Sequence, residues 1–419
     1  MQGLRIAFFV WEFYPRLVGG LGTYAIEMTR QFVQTGHDVV VFTLNPGDLV
    51  THEIWNGVLI HRPEIVDLSS VFPGFVTDDL KHWGTNLKMF CDIFSYQHLS
   101  ASKLINELIR KEKERYDVVA VNDWLAAISG LIVKKEISEL PVVFHVHSTE
   151  QQRSRGEGSE AIKYFELNMA ERANKVITVS HSMQDHLISI GYPSTKIRPI
   201  WNGCDPEKYN PAIVKEDDVN TLKKKYGLES HEQVILFIGR LTWVKGVQNL
   251  IQAMPFVLSR FPFTKLVILG KGGDYDNLTH LAKRLGIERQ VIFRSEFVSE
   301  KERILHYAMA DLCVFPSLSE PFGIVSLEAM SMEKPVVVGA RGVNGFKEQV
   351  VPVGDDQNGF HVNGEEPSDI AWGINEVLGN PEKVPFWGKN GRRRVLQYFT
   401  WEKAAENTLS VYKEAIEKG

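Results

Sequence analysis

The 419-residue chain is poor in several things that would have named a function outright. It holds three cysteines, Cys91, Cys204 and Cys313, with no C-x-x-C spacing, so neither a disulfide framework nor a cysteine-rich metal site is expected. No segment approaches eighteen consecutive apolar residues, and no membrane span is expected. Positive charge is not in excess: net charge is −5, which gives no electrostatic case for nucleic acid as the main partner. Short repeats and low-complexity stretches are absent. The opening LRIAFFVW is short, runs into charge and lacks a small-residue cleavage site, so it reads as a strand rather than a leader. The expectation is a cytoplasmic protein, with peripheral membrane contact left open and oligomeric state undecided.

What is present is ordinary globular composition, 44% hydrophobic and 24% charged, in a chain too long for one core. Short apolar runs alternate with helical segments. Runs at residues 5–10, 38–43, 118–121, 142–147 and 175–179 fall in the first half, with helices expected at 23–35 and 100–114. Runs at 234–238, 265–269, 291–294, 312–316 and 335–339 fall in the second, with helices expected at 247–259 and 275–285. Uninterrupted apolar runs between helices mean parallel strands covered on both faces. Repeated βα units mean doubly wound sheets. Residues 202–224, charged and proline-containing, mark the break and read as a plain linker or as a hinge over a cleft. The division expected is 1–205 and 206–399, with a C-terminal amphipathic helix at 400–419 packing back on the first domain. Residues 59–99 are less regular and read as an insertion, either local packing or an acceptor-shaping element.

Chemistry concentrates where strands end. The sharpest signal is SEPFGIVSLEA, residues 319–329, which sets Glu320 and Glu328 eight positions apart across a Pro-Phe-Gly turn that should open a helix. A helix N-terminus offers free N–H groups to an anion. Two flanking glutamates can reach hydroxyls on either side, so a diphosphate between two sugars suits the pattern. After residues 234–238 comes GRLTWVKG, in which Arg240 and Lys245 can converge on one anion. The glycine loops VGGLGTY and LGKGGDYDNL sit after strands, where a phosphate loop belongs, although a tight turn explains each as well. The first is not the dinucleotide G-x-G-x-x-G. Arg16 could add charge beside it. Asp123 and Trp124 at a strand end suit sugar recognition, a carboxylate for hydroxyls and a flat apolar face, and an aspartate there also caps helices. His145 and His147 share one side of their strand. Zinc lacks a third ligand at suitable spacing, so His147 is the ligand-contact candidate and His145 a packing histidine. Ser299 with Glu302 fits a capping box.

In this order, GGLG at 19–22, NDW at 122–124, His147, NGCD at 202–205, GRLTWVKG at 239–246 and E-x7-E at 320–328 resemble the retaining glycosyltransferases of family 4. The resemblance covers nearly the whole chain, and the Trp124-Leu125 pair with HSTE at 147–150 looks closest to archaeal and bacterial glycogen synthases. It implies the GT-B fold, α/β, two Rossmann-like doubly wound domains facing across a cleft. It implies a UDP- or ADP-sugar donor, a carbohydrate acceptor, no cofactor and no metal. By resemblance, Arg240 and Lys245 neutralise the donor diphosphate, Glu328 binds the nucleotide ribose and Glu320 contacts the hexose. Gly323 and Ile324 bring backbone amides to phosphate or sugar, and Gly20 and Leu21 approach the diphosphate. His147 lies near the reacting hexose, and Asp123 beside donor and acceptor sugars. One departure stands out: ADP-glucose synthases often carry a lysine two positions before the paired glycines, where this chain has Leu17. The activity implied is hexosyl transfer, best read as glucosyl transfer to the non-reducing end of an α-1,4-glucan. A disaccharide, glucosylated solute or glycolipid as product, a nucleotide-dependent oxidoreductase, and a non-catalytic sugar-binding protein are the rivals.

Overall fold

A computed structural model describes residues 3–69, 87–154, 158–296 and 298–417. The chain divides into two compact units. One comprises Met1–Val179, Gln184–Trp201 and Trp401–Gly419; the other comprises Ser180–Met183 and Asn202–Thr400.

The first unit is built on eight strands: β1 (Arg5–Phe9), β2 (Asp38–Phe42), β3 (His52–Trp55), β4 (Val58–His61), β5 (Val118–Asn122), β6 (Val142–Val146), β7 (Lys175–Thr178) and β8 (Ile197–Pro199). Their order across the sheet is β3-β4-β2-β1-β5-β6-β7-β8. Every pairing but β3–β4 is parallel. Ile6 pairs with Val39 on one side and Val118 on the other, so β1 lies at the centre. Its residues Ile6, Ala7, Phe8 and Phe9 are wholly buried, as a strand covered on both faces must be. The edge hairpin β3–β4 turns through Asn56 and Gly57, with φ of 49° and 81°. Asn-Gly is the residue pair that tolerates this left-handed two-residue turn. The helix expected at 100–114 begins earlier, at Leu87, and runs to Ser102 before continuing as a π-helix over Lys103–Lys111. Part of the irregular region 59–99 lies outside the described residues.

Trp401–Glu417 forms the C-terminal helix and belongs to this unit, against the helix Gly20–Gln34 and β5, β6 and β7. It buries Trp401, Leu409, Val411 and Tyr412. Burying side chains of this kind contributes about 1.5–3 kcal/mol each. Glu414 fastens its far end to Lys175 at 2.6 Å and Arg198 at 2.7 Å.

The second unit carries β9 (Gln233–Ile238), β10 (Thr264–Leu269), β11 (Val291–Arg294), β12 (Leu312–Phe315), β13 (Val336–Gly339) and β14 (Gly359–Val362). The sheet order is β11-β10-β9-β12-β13-β14, parallel throughout. The segment read as a linker is built into this unit. Cys204 N–H donates to the Phe399 carbonyl at 2.9 Å, Tyr209 is buried, and Arg392 donates to the carbonyls of Pro206 and Tyr209. The helix Glu216–Lys225 follows. Among the described residues no helix is long and apolar enough to cross a membrane.

Candidate functional site

Each sheet reverses its winding direction once, between β1 and β5 in the first unit and between β9 and β12 in the second. Loops leaving neighbouring strands at such a point diverge and leave a crevice at the carboxyl ends. GGLG and Asp123 occupy these loops in the first unit, and Arg240, Lys245 and Glu320 in the second; His147 follows β6, NGCD follows β8 and the glycines at 270–273 follow β10.

In the second unit, the loop after β9 carries Arg240 and Lys245, and the loop after β12 carries Ser317 to Gly323. Leu318 N–H donates to the Val244 carbonyl at 2.8 Å and ties one loop to the other. The backbone of Glu320 is pinned on both sides: its N–H donates to Val343 at 3.0 Å, and its carbonyl accepts from Gly345 at 2.7 Å. The buried Glu320 carboxylate accepts from Lys245 Nζ in an ion pair, with Ser317 Oγ at 3.4 Å on the same oxygen. Arg240 and Lys245 therefore stand differently. Lys245 is already paired, whereas Arg240 is exposed and makes no ion pair among the described residues.

In the glycine cluster at 270–273, Gly270 and Gly272 are required by close backbone packing, whereas Gly273 faces open space. A Cβ on Gly270 would lie 1.8 Å from the Gly239 carbonyl oxygen, and Leu241 N–H donates to the Lys271 carbonyl at 2.7 Å. Gly270 and Gly272 let the Arg240 loop lie flush against its neighbour. Gly323 has a different reason to be glycine: φ is 89°, and a Cβ would meet Phe346 Cε1 at 2.0 Å. It precedes the helix Ile324–Ser331, whose N-terminus no side chain caps. The first-turn amides from Ile324 onward thus start shortly after Glu320 in the chain, carrying the partial positive charge of a helix start.

Glu328 lies further down this helix and is buried. Tyr307 donates its hydroxyl to Oε2 at 2.7 Å, and Arg303 Nη2 approaches Oε1 at 3.4 Å. Arg303 also donates to the Tyr209 hydroxyl. Burial works against the Arg303 charge, but Glu328 and the neighbouring phenols outweigh it and push its pKa up. Each carboxylate oxygen keeps acceptor capacity for one more donor. Ser299 caps the helix Glu300–Met309 by accepting from Glu302 N–H at 3.2 Å, one half of the expected capping box.

In the first unit, Asp123 follows β5 in a backbone conformation, φ 55° and ψ 179°, that is nearly reserved for glycine and costs about 1–3 kcal/mol. Its N–H donates to the His145 carbonyl at 2.8 Å, and its Oδ1 accepts from His147 N–H at 2.7 Å. His147 is half-buried, its Nε2 3.2 Å from Asn122 Oδ1 and its ring edge-on to Tyr24 at 4.4 Å. Burial lowers its pKa, with Asp123 opposing, so the imidazole is neutral at neutral pH. His145 is the packing histidine its position suggests: Tyr24 and Tyr412 hydroxyls meet its two nitrogens at 3.0 and 2.9 Å. Trp124, expected to face a sugar, is instead core, clustered with Phe90, Ile93 and Ile162. It is the first residue of the helix Trp124–Glu136 and turns inward.

The GGLG loop folds around an internal anion. The buried Glu12 carboxylate accepts from the amides of Gly19 at 3.2 Å and Gly22 at 3.0 Å, and from Val18 N–H. Gly20 and Leu21 remain at the surface of the loop. Arg16 spends its charge on Asp48. Downstream of His147, the buried Glu166 accepts from Glu150 N–H at 2.9 Å and Arg153 at 3.0 Å. Burial raises its pKa to about 7 against the pull of Arg153. Among the described residues no three metal-ligating side chains gather.

Sequence reading gave no role to Glu12, Asn122, Arg303 and Tyr307. Arg303 and Tyr307 carried a signal: four positions apart on a helix, they share a face. Asn122 stood in the NDW motif, but its partners Phe9 and His147 are distant in the chain, and Glu12 lay just upstream of the glycine loop with nothing to mark its carboxylate as that loop's acceptor.

The model of the glycosyltransferase family 4 matches residues 18–208, and that of the glycosyl transferases group 1 matches residues 218–394. An uncharacterized glycosyltransferase of Methanocaldococcus jannaschii is 34% identical over 99% of both chains. The chain belongs to the family 4 glycosyltransferases. A glycogen synthase of Mycobacterium tuberculosis is 28% identical, covering 98% of this chain and 95% of its own. The sucrose-phosphate synthase of Thermosynechococcus elongatus superimposes with a TM-score of 0.77 at 21% identity, over 99% of this chain and 100% of its own. The fold is GT-B, with two parallel-sheet Rossmann-like domains.

Proposed function

We propose that this transferase is a retaining hexosyltransferase. It moves a glucosyl group from UDP- or ADP-glucose to the non-reducing end of an α-1,4-glucan. The carrying observation is the Lys245–Glu320 pair, joined to an uncapped helix N-terminus at the β9/β12 reversal. A cation, a carboxylate and free amides meet the needs of a diphosphate bonded to a sugar.

The bond between the anomeric carbon and the diphosphate oxygen breaks, and a bond from the acceptor oxygen to that carbon forms. The acceptor proton passes to the departing diphosphate oxygen on the same face, which retains configuration. Arg240, Lys245 and the amides of Gly323 and Ile324 stabilise charge growing on the leaving group. Glu320 orients the hexose and Glu328 accepts from the ribose. His147 and Asp123 serve the hexose and acceptor, and Gly20 and Leu21 the diphosphate. No carboxylate nucleophile and no metal are assigned, because the side chains named supply the positive charge.

A second acceptor class is favoured by one observation. Leu17 is exposed and uncharged where glucan synthases often carry lysine, and Arg16 does not replace it because Asp48 holds its guanidinium. This favours a UDP-sugar donor, or a sugar, small solute or lipid as the acceptor. The test is incubation of purified protein with UDP-glucose or ADP-glucose, with and without a maltooligosaccharide. Nucleoside-diphosphate release, product length and anomeric form are followed. Maltooligosaccharide-dependent release with α-linked elongation is expected. Slow donor hydrolysis without elongation selects the second acceptor class, and donor binding without any turnover refutes the enzyme.

A further inference from the structure

Asn122 ends β5 and is wholly buried. Its side chain reaches both neighbouring strands. On one side Nδ2 donates to the Phe9 carbonyl, at the end of β1, at 2.9 Å. A carbonyl oxygen has no hydrogen to give, so only the NH2 edge of the amide fits there. The other edge, Oδ1, is thereby turned to His147 Nε2, 3.2 Å away. Oδ1 accepts and cannot donate, so Nε2 must carry the hydrogen. In a neutral imidazole the remaining nitrogen, Nδ1, is then a bare lone pair. Nδ1 has no hydrogen-bond partner among the described residues.

The ring has little freedom to evade this. His147 N–H is held by Asp123 Oδ1 at 2.7 Å, and Tyr24 packs edge-on at 4.4 Å. The contrast with His145 is instructive. That ring meets two tyrosine hydroxyls, which donate or accept as required, so either tautomer is satisfied. His147 alone of the two is committed by its partner.

Resting on the glycosyltransfer proposed above, we infer that Asn122 is a positioning residue. It holds His147 as the Nε2–H tautomer, so that Nδ1 accepts a hydrogen bond from a hydroxyl of the sugar substrate. His147 then selects a hydroxyl hydrogen rather than a substrate acceptor atom, and protonation of Nδ1 abolishes the contact. The titratable groups facing His147 are Asp123 after β5, His145 on its own strand and Tyr24 on the helix Gly20–Gln34.

Two measurements decide it. The first uses wild-type protein labelled with 15N-histidine, with the His147 signals identified by their loss in His147→Gln. Long-range 1H–15N correlations at pH 8 should show Nε2 protonated and Nδ1 bare. An Nδ1–H pattern, or an average of both tautomers, overturns the inference, and neither depends on turnover. The second is the pH profile of kcat/KM in Asn122→Asp. A carboxylate against Nε2–H favours the imidazolium, so the acid limb should move up by about one pH unit or more. An unmoved limb in the folded variant overturns the positioning role, since a merely structural change lowers activity without shifting it. Should Asn122→Asp fail to fold, the wild-type spectrum still decides the tautomer. Absence of sugar transfer from either donor overturns the substrate contact together with the function it rests on, while an Nδ1–H spectrum with transfer intact overturns the inference alone.

Discussion

The Lys245–Glu320 ion pair makes the proposed donor site most vulnerable to a double-mutant cycle. Both side chains are largely out of water, 18% and 11% exposed, and each is the other's charge partner. Lys245→Ala removes a cation from the leaving diphosphate and leaves Glu320 unpaired and free to turn. Glu320→Ala removes the sugar-orienting carboxylate and leaves Lys245 without its guide. Losing one charge-stabilising or orienting contact costs about 100-fold or more in turnover, some 2.7 kcal/mol or more. If the two acted independently, the double variant would lose about 10,000-fold. Because each holds the other in place, the double variant should lose no more than about tenfold beyond the worse single variant. The assay is steady-state nucleoside-diphosphate release with saturating acceptor, after thermal melting shows each variant folded. Near-normal turnover in either single variant refutes that residue's role. A fully multiplicative loss refutes their coupling.

Tyr307→Phe removes the hydrogen bond to Glu328 at 2.7 Å and a longer contact with the Val325 carbonyl at 3.3 Å. A donor KM raised about 2- to 13-fold with kcat unchanged is expected, from about 0.5–1.5 kcal/mol for one such bond; an unchanged KM for UDP-glucose and ADP-glucose alike argues against ribose contact by Glu328. Arg240→Ala should act mainly on donor KM, because Arg240 is exposed and makes no ion pair among the described residues, and a loss confined to kcat contradicts this. Glu166, raised from 4.5 to about 7 in the folded state, binds its proton more tightly folded than unfolded. The stability it adds is full below pH 4.5 and is lost as pH rises through 7, an upper bound of about 3 kcal/mol. Melting temperature should fall from pH 5 to pH 8 in wild type and change less in Glu166→Gln; parallel curves refute the assignment. Gly323→Ala forces a left-handed backbone on an L-residue and a Cβ into Phe346, costing about 2 kcal/mol or more in urea unfolding. An unaltered midpoint contradicts the geometry.

The two sheets were legible because parallel strands buried on both faces are written as plain apolar runs, and RIAFF and QVILFI could hardly be anything else. Three of the four edge strands, β3, β8 and β14, were not, nor was β4 beside β3: they are short, and their burial alternates or breaks off, whereas the edge strand β11 was expected at 291–294. The hairpin carried a signal in Asn56-Gly57, a two-residue turn pair, that the sequence reading did not use. Glu320, Lys245, Asp123 and His147 could be placed at strand ends because motif spacing reports position along the chain. Partners cannot be read that way. Nothing in the sequence says that Glu12 fills the GGLG loop, or that Trp124 turns into the core while Asp123 beside it bears the strain. Those outcomes depend on which side of a strand end the chain leaves from, which single-residue changes in the turn decide.

The placed side chains share a property that bears on how the site binds. Lys245 is neutralised by Glu320, Glu328 by Arg303, and the loop amides by Glu12. Buried charges without partners are costly, so the molecule supplies each with an internal one. A ligand diphosphate arriving at Lys245 exchanges one anion for another, and the net gain is smaller than the bare Coulomb attraction. Binding energy in the ground state therefore falls to groups with nothing to give up, chiefly Arg240 and the uncapped amides after Gly323. What Lys245 contributes grows only as negative charge builds on the departing diphosphate, beyond what the fixed charge of Glu320 already answers. An interaction that strengthens toward the transition state raises kcat, whereas one equally strong in both states lowers KM. On the proposed function, both basic residues answer the charge growing on the leaving group, but unequally: Arg240 would also hold the donor in the ground state, whereas Lys245 would act chiefly on its cleavage.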